Sequence, residues 1–84
     1  MIFDVAVIVQ LRPGISDPEG STIERALPTL GFDGVSGVRA GKHLTFRLEA
    51  DNDGEATSVV EDMCARFLAN PVIEDATITV TPAS

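Results

Sequence analysis

Residues 35–50, VSGVRAGKHLTFRLEA, decide how many strands this chain can offer to a sheet. Leu44, Phe46, Leu48 and Ala50 recur at period two, and His43, Thr45, Arg47 and Glu49 fill the alternate positions. That alternation is the signature of a strand with one buried face. Val38 and Ala40 share the inward phase, but Lys42 breaks it, next to Gly41. A glycine at a phase break predicts a bulge or a bend. The stretch is therefore either one long bent strand or two strands meeting at Gly41.

Toward the N-terminus, Asp33-Gly34 signals a turn. Before it, Ile23, Ala26, Leu27 and Leu30 follow the i, i+3, i+4, i+7 spacing of an amphipathic helix. Asp17-Pro18 is a good start for that helix, an N-cap side chain followed by a proline whose missing N–H costs nothing there; Ser21 is an alternative cap. Pro28 falls inside the pattern, where a regular interior would lose about 3 kcal/mol. A kink or a short helix is expected, with Gly31 as its stop. Residues 12–20, RPGISDPEG, read as a loop. Residues 3–11, FDVAVIVQL, place Phe3, Val5, Val7, Val9 and Leu11 on one strand face. The opposite face is Asp4, Ala6, Ile8 and Gln10, apolar in its middle.

Toward the C-terminus, Asp51-Asn-Asp-Gly54 opens a second helix, with Asp51 or Asp53 as the expected cap. Ala56, Val59, Val60, Met63, Cys64, Phe67 and Leu68 form its apolar stripe, and Asn70-Pro71 ends it. Residues 72–81 read as the last strand, with Ala76, Ile78 and Val80 inward and Thr77, Thr79 and Thr81 outward. The whole is one α+β domain over residues 1–84: an antiparallel sheet with two helices on one face. The order β-α-β-α-β approaches the ferredoxin-like arrangement if the middle strand is double. The second sheet face, with Ala6 and Ile8, then needs a cover, and a second copy of the chain is the expected one.

A single core in 84 residues supplies only about 3–5 kcal/mol of net stability. One cysteine allows no internal disulfide, and one His with one Cys cannot make a structural zinc site. Oligomerisation is the remaining stabiliser. The formal charge of −7 disfavours nucleic acid and anionic membrane as partners. No apolar run is long enough for a membrane span, and the start lacks the pattern of a signal peptide, so a cytoplasmic location is expected.

The candidate chemistry is thin. Cys64 lies in the helix stripe and reads as a core residue. His43 is on a polar strand face without a nucleophile at a telling spacing. Gly37 to His43 has three residues between its glycines where a phosphate loop needs four, and continues as strand. Glu49, Asp51, Asp53 and Gly54 imitate a calcium loop, but the position that requires Glu is Val60. Glu74 and Asp75 are adjacent on a strand, face opposite ways and cannot share a proton. No catalytic residue, cofactor site or metal site is expected. Arg39 and Lys42 are two of only six cations, set beside Gly41, and suit a surface that meets an acidic or phosphate-bearing partner.

Three segments carry a family resemblance: the opening strand leading to Asp17-Pro18-Glu-Gly20, then Val38-Arg39-Ala-Gly41-Lys42, then Leu68-Ala-Asn70-Pro-Val-Ile73-Glu74-Asp75. With them the chain resembles the PurS family, the small subunit of phosphoribosylformylglycinamidine synthase. The resemblance implies a complex that makes formylglycinamidine ribonucleotide from formylglycinamide ribonucleotide, glutamine and ATP during purine synthesis. A PurQ-type glutaminase releases ammonia, and a PurL-type synthetase uses ATP and magnesium to activate the amide. The small subunit is dimeric and non-catalytic, and helps assemble the other two. The resemblance makes Arg39, Gly41, Lys42, Asn70, Glu74 and Asp75 candidates for partner contact. The competing expectation is a dimeric ferredoxin-like regulatory domain that holds an amino acid near Pro13-Gly14.

Overall fold

The computed structural model describes residues 1–83. Its centre is β1 (Ile2–Leu11), which pairs antiparallel with β2 (Gly41–Glu49) on one side and β3 (Glu74–Pro82) on the other, giving the order β2-β1-β3. The register sets the inner face in rows: Leu48-Phe3-Pro82, Phe46-Val5-Val80, Leu44-Val7-Ile78 and Lys42-Val9-Ala76. Phe3, Val5, Val7 and Val9 are buried, as the period-two pattern requires.

Helix α2 (Asp53–Met63) lies on this face and buries Ala56, Val60 and, just past its end, Cys64. Its cap is Asn52, whose side chain accepts from the Glu55 N–H at 2.8 Å, and not Asp51 or Asp53. Asn is as good an acceptor there, and the chain simply enters the helix one residue away. After Met63 the chain makes one π-helical turn, Cys64–Leu68, with the Ala69 N–H donating to the Cys64 carbonyl five residues back. The extra residue rotates the stripe. Leu68 turns toward the core and Phe67, expected inside, is 87% exposed.

Helix α1 (Pro18–Ala26) starts as its sequence predicts: Asp17 caps it, accepting from the Gly20 N–H at 2.9 Å, and Pro18 is its first residue. It stops before Pro28, which opens a 3₁₀ turn to Leu30, and Gly31 ends that turn at φ 94°. Residues 35–40 lie outside the paired strand, with Gly37 at a positive φ of 71°, so the middle strand is single and begins at Gly41. The glycine is needed for close approach: a Cβ there would sit 2.6 Å from the Val9 carbonyl oxygen.

α2 packs over β1 and β3, while α1 meets the body chiefly at its first turn. Ile23 and Leu30 are exposed and Leu27 is half-buried, so α1 and the 3₁₀ turn form an arm with an uncovered apolar stripe. The inner row of β2, Leu44, Phe46 and Leu48, is only half-buried. The molecule is accordingly long, 51 × 30 × 15 Å, with a radius of gyration of 16.4 Å. A compact chain of this length would measure about 12 Å.

Candidate partner interface

Register brings two distant stretches to one end of the sheet. Gly41 and Asp75 flank Gln10, Lys42 lies opposite Val9, and Glu74 lies opposite Leu11. Five of the six contact candidates therefore converge: Gly41 and Lys42 on the β2 side of β1, and Asn70, Glu74 and Asp75 on the β3 side. Arg39 joins them from the segment before β2.

Each side chain there has a definable task. Arg39 is partly exposed, yet its guanidinium donates to the Leu11 carbonyl at 3.0 Å, to Arg12 at 3.1 Å and to Ile15 at 3.3 Å. It braces the loop after β1. Asp17, 8% exposed, accepts from the Gly20 and Ala40 N–H groups at 2.9 and 2.8 Å and lies 3.9 Å from Arg39. The N–H donors, Gly20 first and Ala40 second, hold this carboxyl below its ordinary value; burial opposes them and Arg39 adds a smaller push. Glu24 accepts from the Val38 N–H at 2.9 Å, and a Cβ on Gly20 would come within 2.4 Å of the Val38 carbonyl oxygen. These contacts fasten the root of the arm to the strand approach.

On the other side, Arg12 pairs with Asp75 at 3.3 Å and donates to the Pro71 carbonyl at 2.5 Å. Glu74 accepts from the Asn70 N–H at 2.7 Å, and the Asn70 side chain accepts from the Val72 N–H at 3.1 Å. The 69–75 loop is thus closed on itself and tied to β1. Sequence reading did not find Arg12 or the second role of Asp17. Their partners lie 59 and 23 residues away, and no local pattern announces such bonds.

Lys42 has no ion-pair partner among the described residues and overlooks a hollow of about 400 Å³ shared with Val9, Leu11, Asp17, Glu19 and Glu74. A second hollow, lined by Gln10, Leu11, Pro13, Arg39 and Asp75, lies where an amino-acid ligand is the competing expectation. Arg39, the cation such a ligand needs, is already bonded to carbonyls. His43 is exposed on the outer sheet face opposite Ile8, and Cys64 is buried, its thiol pushed up by desolvation first and by Glu61 second. On the outer face Ala6 is half-buried and Ile8 is 41% exposed, between Thr45 and Thr79 and between His43 and Thr77. Among the described residues no group of three His, Cys, Asp or Glu could hold a metal ion, and no helix is long and apolar enough to cross a membrane.

Residues 4–82 match the family described as PurS, phosphoribosylformylglycinamidine (FGAM) synthase. The chain is 42% identical over 79 residues to the PurS subunit of phosphoribosylformylglycinamidine synthase from Methanocaldococcus jannaschii, covering 94% of this chain and 95% of that one. It is 47% identical to the corresponding subunit of Mycobacterium leprae, covering 87% and 89%. The crystal structure of the M. jannaschii PurS superposes with a TM-score of 0.87 at 39% identity, over 98% of this chain and 99% of that one. A chain in the structure of PurLQS from Thermotoga maritima superposes with a TM-score of 0.87 at 35% identity, over 95% and 98%. The match spans nearly the whole chain in sequence and in fold, and the chain belongs to the PurS family.

Proposed function

We propose that this chain is the small subunit of a phosphoribosylformylglycinamidine synthase and works without a catalytic group of its own, as a scaffold between a glutaminase and an ATP- and magnesium-using synthetase. The near full-length likeness to a chain solved within a PurLQS assembly carries the reading. The chemistry explains why a scaffold is useful. Ammonia in neutral water is mostly ammonium, which is no nucleophile, so glutaminase and synthetase must be held together with an enclosed path between them. Positioning of that kind needs rigid surfaces rather than reactive side chains. The clamped loop with Asn70, Glu74 and Asp75, and the Lys42–Gly41 edge braced by Arg39, are such surfaces. We place contacts with the larger subunits there, in a cytoplasmic enzyme.

The working unit is a homodimer. Its main contact is the arm: the stripe Ile23, Leu27 and Leu30 of one copy covers the half-open row Leu44, Phe46 and Leu48 of the other, reciprocally. One chain has both an unburied helix face and an under-covered sheet edge, and a two-fold pair satisfies both. Ala6 and Ile8 on the outer face are a second, smaller contact between copies. The test of the subunit reading is sedimentation of this chain with its cognate synthetase and glutaminase in the presence of glutamine and nucleotide. A complex containing all three proteins is expected. Failure of this chain to co-sediment with either partner contradicts the reading.

A further inference from the structure

Two aspartates of the chain are followed by glycine, Asp33-Gly34 and Asp53-Gly54, and the fold treats them in opposite ways. In such a pair the carboxyl group is open to attack by the next backbone nitrogen, because glycine has no side chain to shield it. Asp53 and Gly54 are the first two residues of α2. Hydrogen bonds span them: the Asn52 side chain accepts from the Glu55 N–H at 2.8 Å, and the Asn52 carbonyl accepts from the Ala56 N–H at 3.0 Å. Ala56 is fully buried, so this turn is tied to the core. Helical backbone angles hold the Gly54 nitrogen out of line with the Asp53 carboxyl carbon, and rotating it into line breaks both bonds. Asp33-Gly34 lies instead in the exposed turn that returns the arm from Phe32 toward β2. Among the described residues neither the Asp33 carboxylate nor the Gly34 N–H makes a hydrogen bond, and Asp33 has no ion pair. Gly34 stands at φ 85° with nothing within 4 Å of where a Cβ would sit.

We propose that Asp33-Gly34 is a site of spontaneous aspartate isomerisation, so that the arm is modified as the protein ages while the matching pair in α2 is spared. The Gly34 backbone nitrogen attacks the carboxyl carbon of Asp33. A C–N bond forms, the nitrogen gives up its proton, and the protonated carboxyl loses its hydroxyl. One water leaves and a five-membered succinimide closes. Water then adds to one of the two ring carbonyls. Opening at the side-chain carbonyl restores aspartate. Opening at the main-chain carbonyl breaks the original peptide bond and leaves the chain running through the side-chain carbon. The steps are a dehydration and a hydration, so they need water alone and leave the mass unchanged. The product keeps its negative charge, now on the α-carboxylate, and adds one carbon to the backbone between Phe32 and Val35. The turn lies inside the loop that Glu24 closes by accepting from the Val38 N–H at 2.9 Å, so the lengthening falls where the arm is fastened. The inference stands apart from the subunit reading, since it needs no partner protein.

The experiment ages the native full-length protein for weeks at physiological temperature in mildly acidic buffer, beside a sample unfolded in urea. Both are digested, and the β-linked peptides are quantified by electron-transfer mass spectrometry, which tells the two linkages apart by where the backbone cleaves. Asp33→Glu is carried alongside, because its longer side chain cannot close the five-membered ring. In the native protein the β-linked fraction at Asp33 is expected to exceed that at Asp53 by at least about 10-fold, as a free turn exceeds one bound to the core. In urea the ratio falls toward one. Asp33→Glu removes the signal at this position and leaves that at Asp53 unchanged. Equal conversion of the two aspartates in the native protein overturns the inference. A native ratio no greater than the urea ratio also overturns it, by placing the difference in the flanking residues rather than in the fold. Conversion of Asp33 in urea but not in the native protein overturns it as well, and shows that the turn at the tip of the arm is held.

Discussion

Asp17 does two jobs from one carboxylate: one oxygen caps α1 at Gly20, and the other holds Ala40 at the approach to β2. Its folded pKa is depressed below 3.8. The sign follows from linkage: the contribution is complete above the unfolded value and is lost as pH falls through the lower folded one. Asp17→Asn keeps an acceptor for Gly20 but presents a donor to Ala40. Its melting temperature should lie below wild type at neutral pH, with the gap closing between about pH 5 and pH 2. A gap that stays constant across this range contradicts the role. The cap was legible in the sequence because capping is local; the Ala40 bond was not, because it needs the fold. Cys64 was legible for the same reason, as a member of a helical stripe. Its burial and raised pKa predict slow alkylation at neutral pH, and Cys64→Ser should cost about 1–2 kcal/mol without loss of assembly. Rapid labelling of the native protein would show that the site opens.

At the scale of elements, alternation and helical spacing located β1, β3, α2 and the short α1 because each is a local pattern against a common core. The pattern over residues 35–40 continues into a segment that has no partner strand in its own chain. Alternation reports that a strand-like surface exists but not which chain completes it. Phe67 failed for a different reason, since one extra residue in the π turn shifts the phase by about 100° and nothing in the local composition marks where such a turn will form. The contact candidates were found as stretches of chain, and only the register showed that Lys42 and Glu74 flank the same end of β1. The arm yields its own prediction. Leu27→Asp places a charge in the proposed contact and should raise the dimer dissociation constant at least about 10-fold, with a smaller effect from Ile8→Asp on the outer face. Leu27→Asp that sediments like wild type contradicts the arm as the main contact, and a wild-type monomer at about 50 micromolar contradicts the dimer itself.

The whole molecule is thin and extended, three strands with one covering helix, an uncovered arm and two hydrogen-bonded corners at one end of the sheet. Such a body is poorly suited to enclosing a reaction and well suited to lying between larger proteins, with one corner on each side of β1. Its acidic charge of −7 keeps it soluble and leaves few cations, four of which are paired within the chain. On the proposed function this chain couples ammonia release to ammonia use and performs neither. The measurement that checks this coupling assays the cognate synthetase and glutaminase, with and without this chain, for formylglycinamidine ribonucleotide made from glutamine or from high ammonium salt. Omission is expected to abolish most of the glutamine-dependent rate and to spare most of the ammonium-dependent one. Equal loss with both nitrogen sources would contradict the account and show that this chain shapes the synthetase's active site itself.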